Sequence, residues 1–119
     1  MKRLVCSLFL VFAAAFASAQ METIEYAKTF SVRHLAGVAK DPSGAIVSDV
    51  RIEVCNDDWA SCFAAVTTGA DGRFSFLNLP GRSIYFVKVS ARGFDQLRLK
   101  VRLRSFARGE LAIRMHIAT

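Results

Sequence analysis

Four cations at alternating positions form the sharpest local pattern in this sequence. Arg98, Lys100, Arg102 and Arg104 interleave with Leu97, Leu99, Val101 and Leu103 in the run QLRLKVRLRS. In an extended strand alternate side chains share a face and lie about 6.5–7 Å apart. All four charges would then line one surface, a basic ladder able to hold an anionic glycan, lipid headgroups or an acidic protein. The competing and favoured reading is a solvated face that also discourages edge-to-edge association. No aromatic side chain is interleaved with the cations, so the base-stacking platform of single-stranded nucleic-acid binders is absent and nucleic acid is not expected as a partner.

A second cluster lies between two cysteines. Asp57, Asp58 and Trp59 occupy the segment from Cys55 to Cys62. A tryptophan beside carboxylates can stack on a sugar ring and accept hydrogen bonds from its hydroxyls, and loops at the end of a β-scaffold are common binding sites. The favoured alternative folds Trp59 onto the sheet edge and uses the aspartates as turn formers. Calcium needs roughly six to eight oxygen ligands, more than this pair provides. Two cysteines without a second pair or companion histidines do not make a zinc site. His34 and His116 stand isolated, and Ser43, Ser48 and Ser75 lie in no nucleophile elbow. These residues predict neither catalysis nor a metal nor a cofactor.

The N-terminus carries a different signal. Lys2 and Arg3 precede an apolar run from Leu4 to Phe16, broken by Ser7, and Ala17-Ser18-Ala19 follows as a small-residue cleavage site. This is the pattern of a secretory signal peptide over residues 1–19, with a retained membrane anchor as the second reading. The run is too short for a stable membrane span, which needs about 20 apolar residues. Cys6 belongs to the segment removed. The chain has 16 basic and 10 acidic residues. Loss of Lys2 and Arg3 leaves a mildly basic protein that favours acidic partners weakly. Export to the periplasm or beyond predicts a disulfide between Cys55 and Cys62, the two cysteines that remain.

The elements that must position these residues read as strands. Met21–Val32 has no clear period; residues 20–32 are a lead-in or linker, or an added edge strand. From Arg33 onward, rows of alternate apolar residues recur between turn signals, with no helical period of ten residues. The rows are Val50, Ile52 and Val54; Phe74 and Phe76; Tyr85, Val87, Val89 and Ala91; Leu97 to Leu103; and Leu111, Ile113, Met115 and Ile117. Asp41-Pro42-Ser43-Gly44 has a type I turn signature. Asp71-Gly72 suits a tight hairpin with positive φ. About seven strands result, arranged as one antiparallel β-sandwich over residues 33–119.

In order and spacing these segments resemble the carboxypeptidase regulatory-like domain, an immunoglobulin-like or transthyretin-like β-sandwich. The resemblance rests on Gly37-Val38-Ala39, Asp41 to Gly44, Thr68 to Phe74, Asn78-Leu79-Pro80, Tyr85 and Gly93-Phe94. The turn from Pro80 to Tyr85 is a residue longer than the family's usual form and lacks its second proline. The resemblance implies a structural or binding module and not an enzyme. Transthyretin-like ureide hydrolases end in Tyr-Arg-Gly-Ser, and this sequence ends Met115-His116-Ile117-Ala118-Thr119. The expected function is a non-catalytic binding or scaffolding module of the cell envelope that docks onto a protein. The alternative is a carbohydrate- or polyanion-binding module using Trp59 and the Arg98–Arg104 face.

Overall fold

The computed structural model describes residues 21–118; the predicted signal peptide, with Cys6, lies outside them. Eight strands follow in chain order: β1 (Thr23–Val32), β2 (Ala36–Lys40), β3 (Arg51–Cys55), β4 (Cys62–Thr67), β5 (Arg73–Ser75), β6 (Tyr85–Ser90), β7 (Gln96–Leu103) and β8 (Leu111–Arg114). They form a five-stranded sheet, β1-β7-β6-β3-β4, and a three-stranded sheet, β5-β2-β8. The molecule is an all-β sandwich, with one strand more than expected. The additional strand is β1, in the segment whose sequence left linker and edge strand open.

The sheets are not purely antiparallel. β1 runs parallel to β7 and β2 runs parallel to β8. Hairpins force antiparallel pairing only between strands joined by short turns. Both parallel pairs join strands far apart in sequence, so their direction is set by how the chain returns and not by a local turn.

The inward rows meet where parity places them. Val50, Ile52, Val54, Val87, Val89 and Val101 are fully buried, and Leu97 and Leu99 nearly so. Ala39, Phe74, Leu111, Ile113 and Met115 join them in the same core. Each large apolar side chain buried here stabilises by about 1.5–3 kcal/mol before entropy is counted. Two expected core residues fall outside. Leu103 is 37% exposed and Ile117 is 57% exposed. β6 begins at Tyr85, which pairs with Val101, so Leu103 extends past the last β6 neighbour. Ile117 lies beyond the end of β8 and makes only an isolated bridge to Phe94.

Buried polar groups tie the loops to this core. The Thr68 hydroxyl accepts the Val50 N–H at 2.9 Å and donates to the Val47 carbonyl at 3.1 Å. Its backbone N–H donates to the Val50 carbonyl at 2.9 Å. Thr68 therefore holds the entry to β3 against the corner leaving β4. Asp71-Gly72 follows, but it is not a hairpin within one sheet: β4 and β5 belong to different sheets, and the turn carries the chain across the sandwich. Gly72 has φ of 72°, the left-handed region that favours glycine. The Tyr85 hydroxyl donates to the Pro80 carbonyl at 2.6 Å and fixes the longer turn before β6.

Gly37 is required by close approach. It pairs with Leu111 across the parallel β2–β8 junction, and a Cβ at this position would collide with the Leu111 carbonyl. Gly37→Ala should destabilise by about 1–3 kcal/mol or more, the range of overpacking with backbone displacement. Gly81→Ala, where a Cβ meets nothing, should stay within about 0.5 kcal/mol. Urea denaturation of the two variants checks this, and equal stability would contradict the contact. Thr68→Val should cost about 1–3 kcal/mol, because it strands the buried Val50 N–H; the same denaturation series measures it.

Candidate binding surfaces

The loop between β3 and β4 is closed several times over. Cys55 and Cys62 are disulfide-bonded at its base. The Asn56 N–H donates to the Ser61 carbonyl at 2.8 Å, and the Trp59 N–H to the Asn56 carbonyl at 3.0 Å. The Asp58 carboxylate accepts the N–H groups of Ala60 at 2.9 Å and Ser61 at 3.2 Å. These bonds favour the ionised form and hold the Asp58 carboxyl below its usual pKa. Trp59 has a φ of 62°, unfavourable for a residue with a Cβ. The closed loop enforces this conformation and turns the indole back over the large sheet.

There Trp59 is buried. Its ring meets Phe86 edge-on, with centroids 5.4 Å apart and planes at 88°. The Arg98 guanidinium lies over it at 5.3 Å. Lys88 Nζ donates to the Trp59 carbonyl at 3.1 Å. An indole enclosed in this way presents no open face to a sugar. Asp57 remains exposed at the loop tip.

The basic ladder is divided by its neighbours. Arg98, Lys100 and Arg102 lie on the outer face of β7 and are half-buried; Arg104 lies past the strand and is exposed. The Arg104 N–H donates to the Val32 carbonyl at 2.9 Å. Arg98 is 3.9 Å from the Glu25 carboxylate, and its Nε is buried with no hydrogen-bond partner. Strand register adds a cation that sequence reasoning missed. Lys88 sits opposite Arg98, with Glu53 on its other side. Glu53, Lys88, Arg98 and Glu25 thus form one row across β3, β6, β7 and β1. Of these four, Arg98 and Glu25 form an ion pair at 3.9 Å, whereas Glu53 pairs with Arg51 on its own strand at 3.6 Å. The YFVKVS alternation did place Lys88 outward, but only cross-strand register brings it beside Arg98.

A second surface lies at the opposite margin, along β4. Phe63 is 38% exposed and Leu77 is 81% exposed. With Phe76 and Leu79 they line a groove whose only charged lining side chain is Arg82. The Arg82 guanidinium lies 4.5 Å from the centre of the Phe63 ring, and its Nη1 donates to Asn56 Oδ1 at 3.0 Å. Sequence reasoning missed this surface, because Phe63, Leu77 and Arg82 are scattered along the chain. Among the described residues no three or more metal-ligating side chains cluster, and no helix is long and apolar enough to cross a membrane.

The family comparison agrees with the fold. Residues 34–116 match the carboxypeptidase regulatory-like domain, a stretch that begins after β1 and includes every strand from β2 to β8. The chain belongs to this family. The domain type is non-catalytic. A comparison with curated proteins finds no match. The regulatory-like domain here thus carries β1 as an additional edge strand outside the matched residues.

Two outcomes test the loop and the turns. Trp59 is the single tryptophan in the sequence, so its fluorescence reports on the loop. Reduction, or Cys55→Ser with Cys62→Ser, should shift its emission to the red and destabilise by about 2–3 kcal/mol; an unshifted spectrum would show that packing alone holds the indole. The second outcome concerns pH. The Asp41 carboxyl accepts hydrogen bonds from Ser43 and Ala45 and, like that of Asp58, lies below its usual value. Carboxyls with lowered folded pKa values stabilise fully above the unfolded value, and that contribution is lost as pH falls through the folded values. Asp41→Asn with Asp58→Asn should therefore flatten the acid limb of stability in urea denaturation as pH falls below about 5.

Proposed function

We propose that this chain is an exported, non-catalytic module of the cell envelope that docks onto a protein partner. The observation that supports it is the β4 margin, where exposed Phe63 and Leu77 lie together beside a groove that Phe76 and Leu79 also line. Contiguous exposed apolar patches of this kind mark interaction sites. Export is supported by the signal-peptide pattern of residues 1–19 and by the Cys55–Cys62 bond, since disulfides persist in oxidising compartments. The mature protein should therefore partition with the periplasmic or secreted fraction, and immunoblotting of fractionated cells checks this. Crosslinking of mature protein in that fraction, followed by identification of the adduct, tests docking. An adduct lost on Leu77→Asp supports it; the absence of any protein adduct rejects it.

The polyanion reading keeps one supporting observation. Lys100 and Arg102 lie on the outer face of β7 opposite Thr29 and Ser31, without an acidic cross-strand neighbour. Under this reading, mature protein binds immobilised anionic polysaccharide at low salt and releases it near physiological ionic strength. Changing Arg98, Lys100, Arg102 and Arg104 to Gln abolishes the binding. Binding that survives the quadruple change would remove the basic face as a site.

A further inference from the structure

We propose that the β4 margin takes an extended segment of a partner protein, added as a sixth strand to the large sheet, with alternate apolar residues and a carboxylate that meets Arg82. The proposal rests on the reading of the chain as a protein-docking module and specifies how the docking occurs.

β4 pairs only with β3 and leaves its other side open. A sheet edge of this kind is a template for another strand unless something blunts it. The other edges are blunted. β1 carries Glu25 and Lys28 and is broken by a register shift between Glu25 and Thr29. β5 has three residues, and β8 has four and ends in Arg114. β4, Cys-Phe-Ala-Ala-Val-Thr, runs six residues with no charge and no proline. It is the longest unguarded edge among the described residues.

The groove beside that edge suits side chains as well as backbone. The inward residues Ala64 and Val66 are small and half-buried, so the margin of the core is left unfilled next to Phe76 and Leu79. An added strand would direct alternate side chains into this space, as in strand-addition recognition, where main-chain bonds supply affinity and pockets supply selectivity. Charge sets the remaining requirement. Arg82 is held over Phe63 and bonded to the neutral Asn56 amide, and among the described residues it makes no ion pair with a carboxylate. A guest carboxylate supplies that missing partner. Six residues of strand span about 20 Å, so the guest segment is about six residues long.

The test uses the full mature protein with its disulfide intact. One probe is a synthetic peptide of alternating valine and threonine with one glutamate; the second has glutamine in its place. Amide hydrogen exchange and NMR titration are followed up to about millimolar peptide, so that weak binding with a Kd near about 1 mM is detected. The expected result is slowed exchange along β4, with the glutamate peptide bound several-fold more tightly than the glutamine peptide. Arg82→Gln should erase that difference, and Leu77→Asp should weaken both peptides about tenfold or more. Leu77 is largely exposed, so the fold should tolerate its change. Phe106→Ser, at a residue 99% exposed past the end of β7, should change nothing. Slowed exchange at β1 instead of β4, no binding, or equal binding by Leu77→Asp would overturn the proposal. Dimerisation of the protein that protects β4 without peptide would overturn the choice of occupant in favour of a second copy. A crosslinked envelope protein that binds Leu77→Asp undiminished would leave docking standing and remove strand addition alone.

Discussion

Apolar burial between two sheets of unequal width is the constraint on which the rest of the structure depends. Five strands face three. The central strands β3, β6 and β7 find cover along most of their length, and their inward residues apart from Leu103 reach complete or nearly complete burial. The outer strands β1 and β4 extend past the small sheet and must close their margins by other means. At the β1 margin, Tyr26 and Phe30 meet edge-to-face at 5.8 Å and line a small pocket with Leu97, Leu99 and Leu111, and the Tyr26 hydroxyl lies 3.1 Å from His116 Nε2. At the β4 margin the corresponding side chains are Ala64 and Val66, and a groove remains. The two edges of one sheet thus differ in the side chains that line them, large aromatic rings at β1 and small aliphatic groups at β4.

The outer face of the large sheet shows how electrostatics and packing combine. A row of four like charges along β7 would repel at strand spacing. The fold relieves this at Arg98, where Glu25 lies opposite on β1 at 3.9 Å and Trp59 covers the guanidinium. Exposed ion pairs of this sort contribute little individually, about 0–1 kcal/mol. Their effect is to lower the local field, which makes this face a weaker attractor of polyanions than four free cations would be. The disulfide-closed loop matters here because it delivers Trp59 to the face, and not because it displays Trp59 to solvent.

Much of this protein was legible in sequence. Strict alternation gave β3, β6, β7 and most of β8, because a half-buried strand in a sandwich must repeat every two residues. Turn residues with a steric reason, Asp71-Gly72 and Asp41 to Gly44, located the breaks between strands. The order of short motifs from Gly37 to Phe94 was enough to carry the family. Those features are local: each depends on side-chain chemistry within a few residues. Strand boundaries were less secure where a row outran its neighbours, as at Leu103 and Ile117, because burial depends on what lies opposite.

Tertiary structure alone decided the rest. Parallel pairing of β1 with β7 and β2 with β8 follows from the return path of the chain, which no local pattern encodes. Asp71-Gly72 reads the same whether it joins two strands of one sheet or passes between sheets. Lys88 became a neighbour of Arg98 only through register, and Phe63, Leu77 and Arg82 became one surface only through folding. Sequence determined which residues face inward and outward along each strand. Only the three-dimensional pairing of those strands determined which outward residues meet, because contacts between distant segments depend on register and sheet width, and neither is written in any one segment.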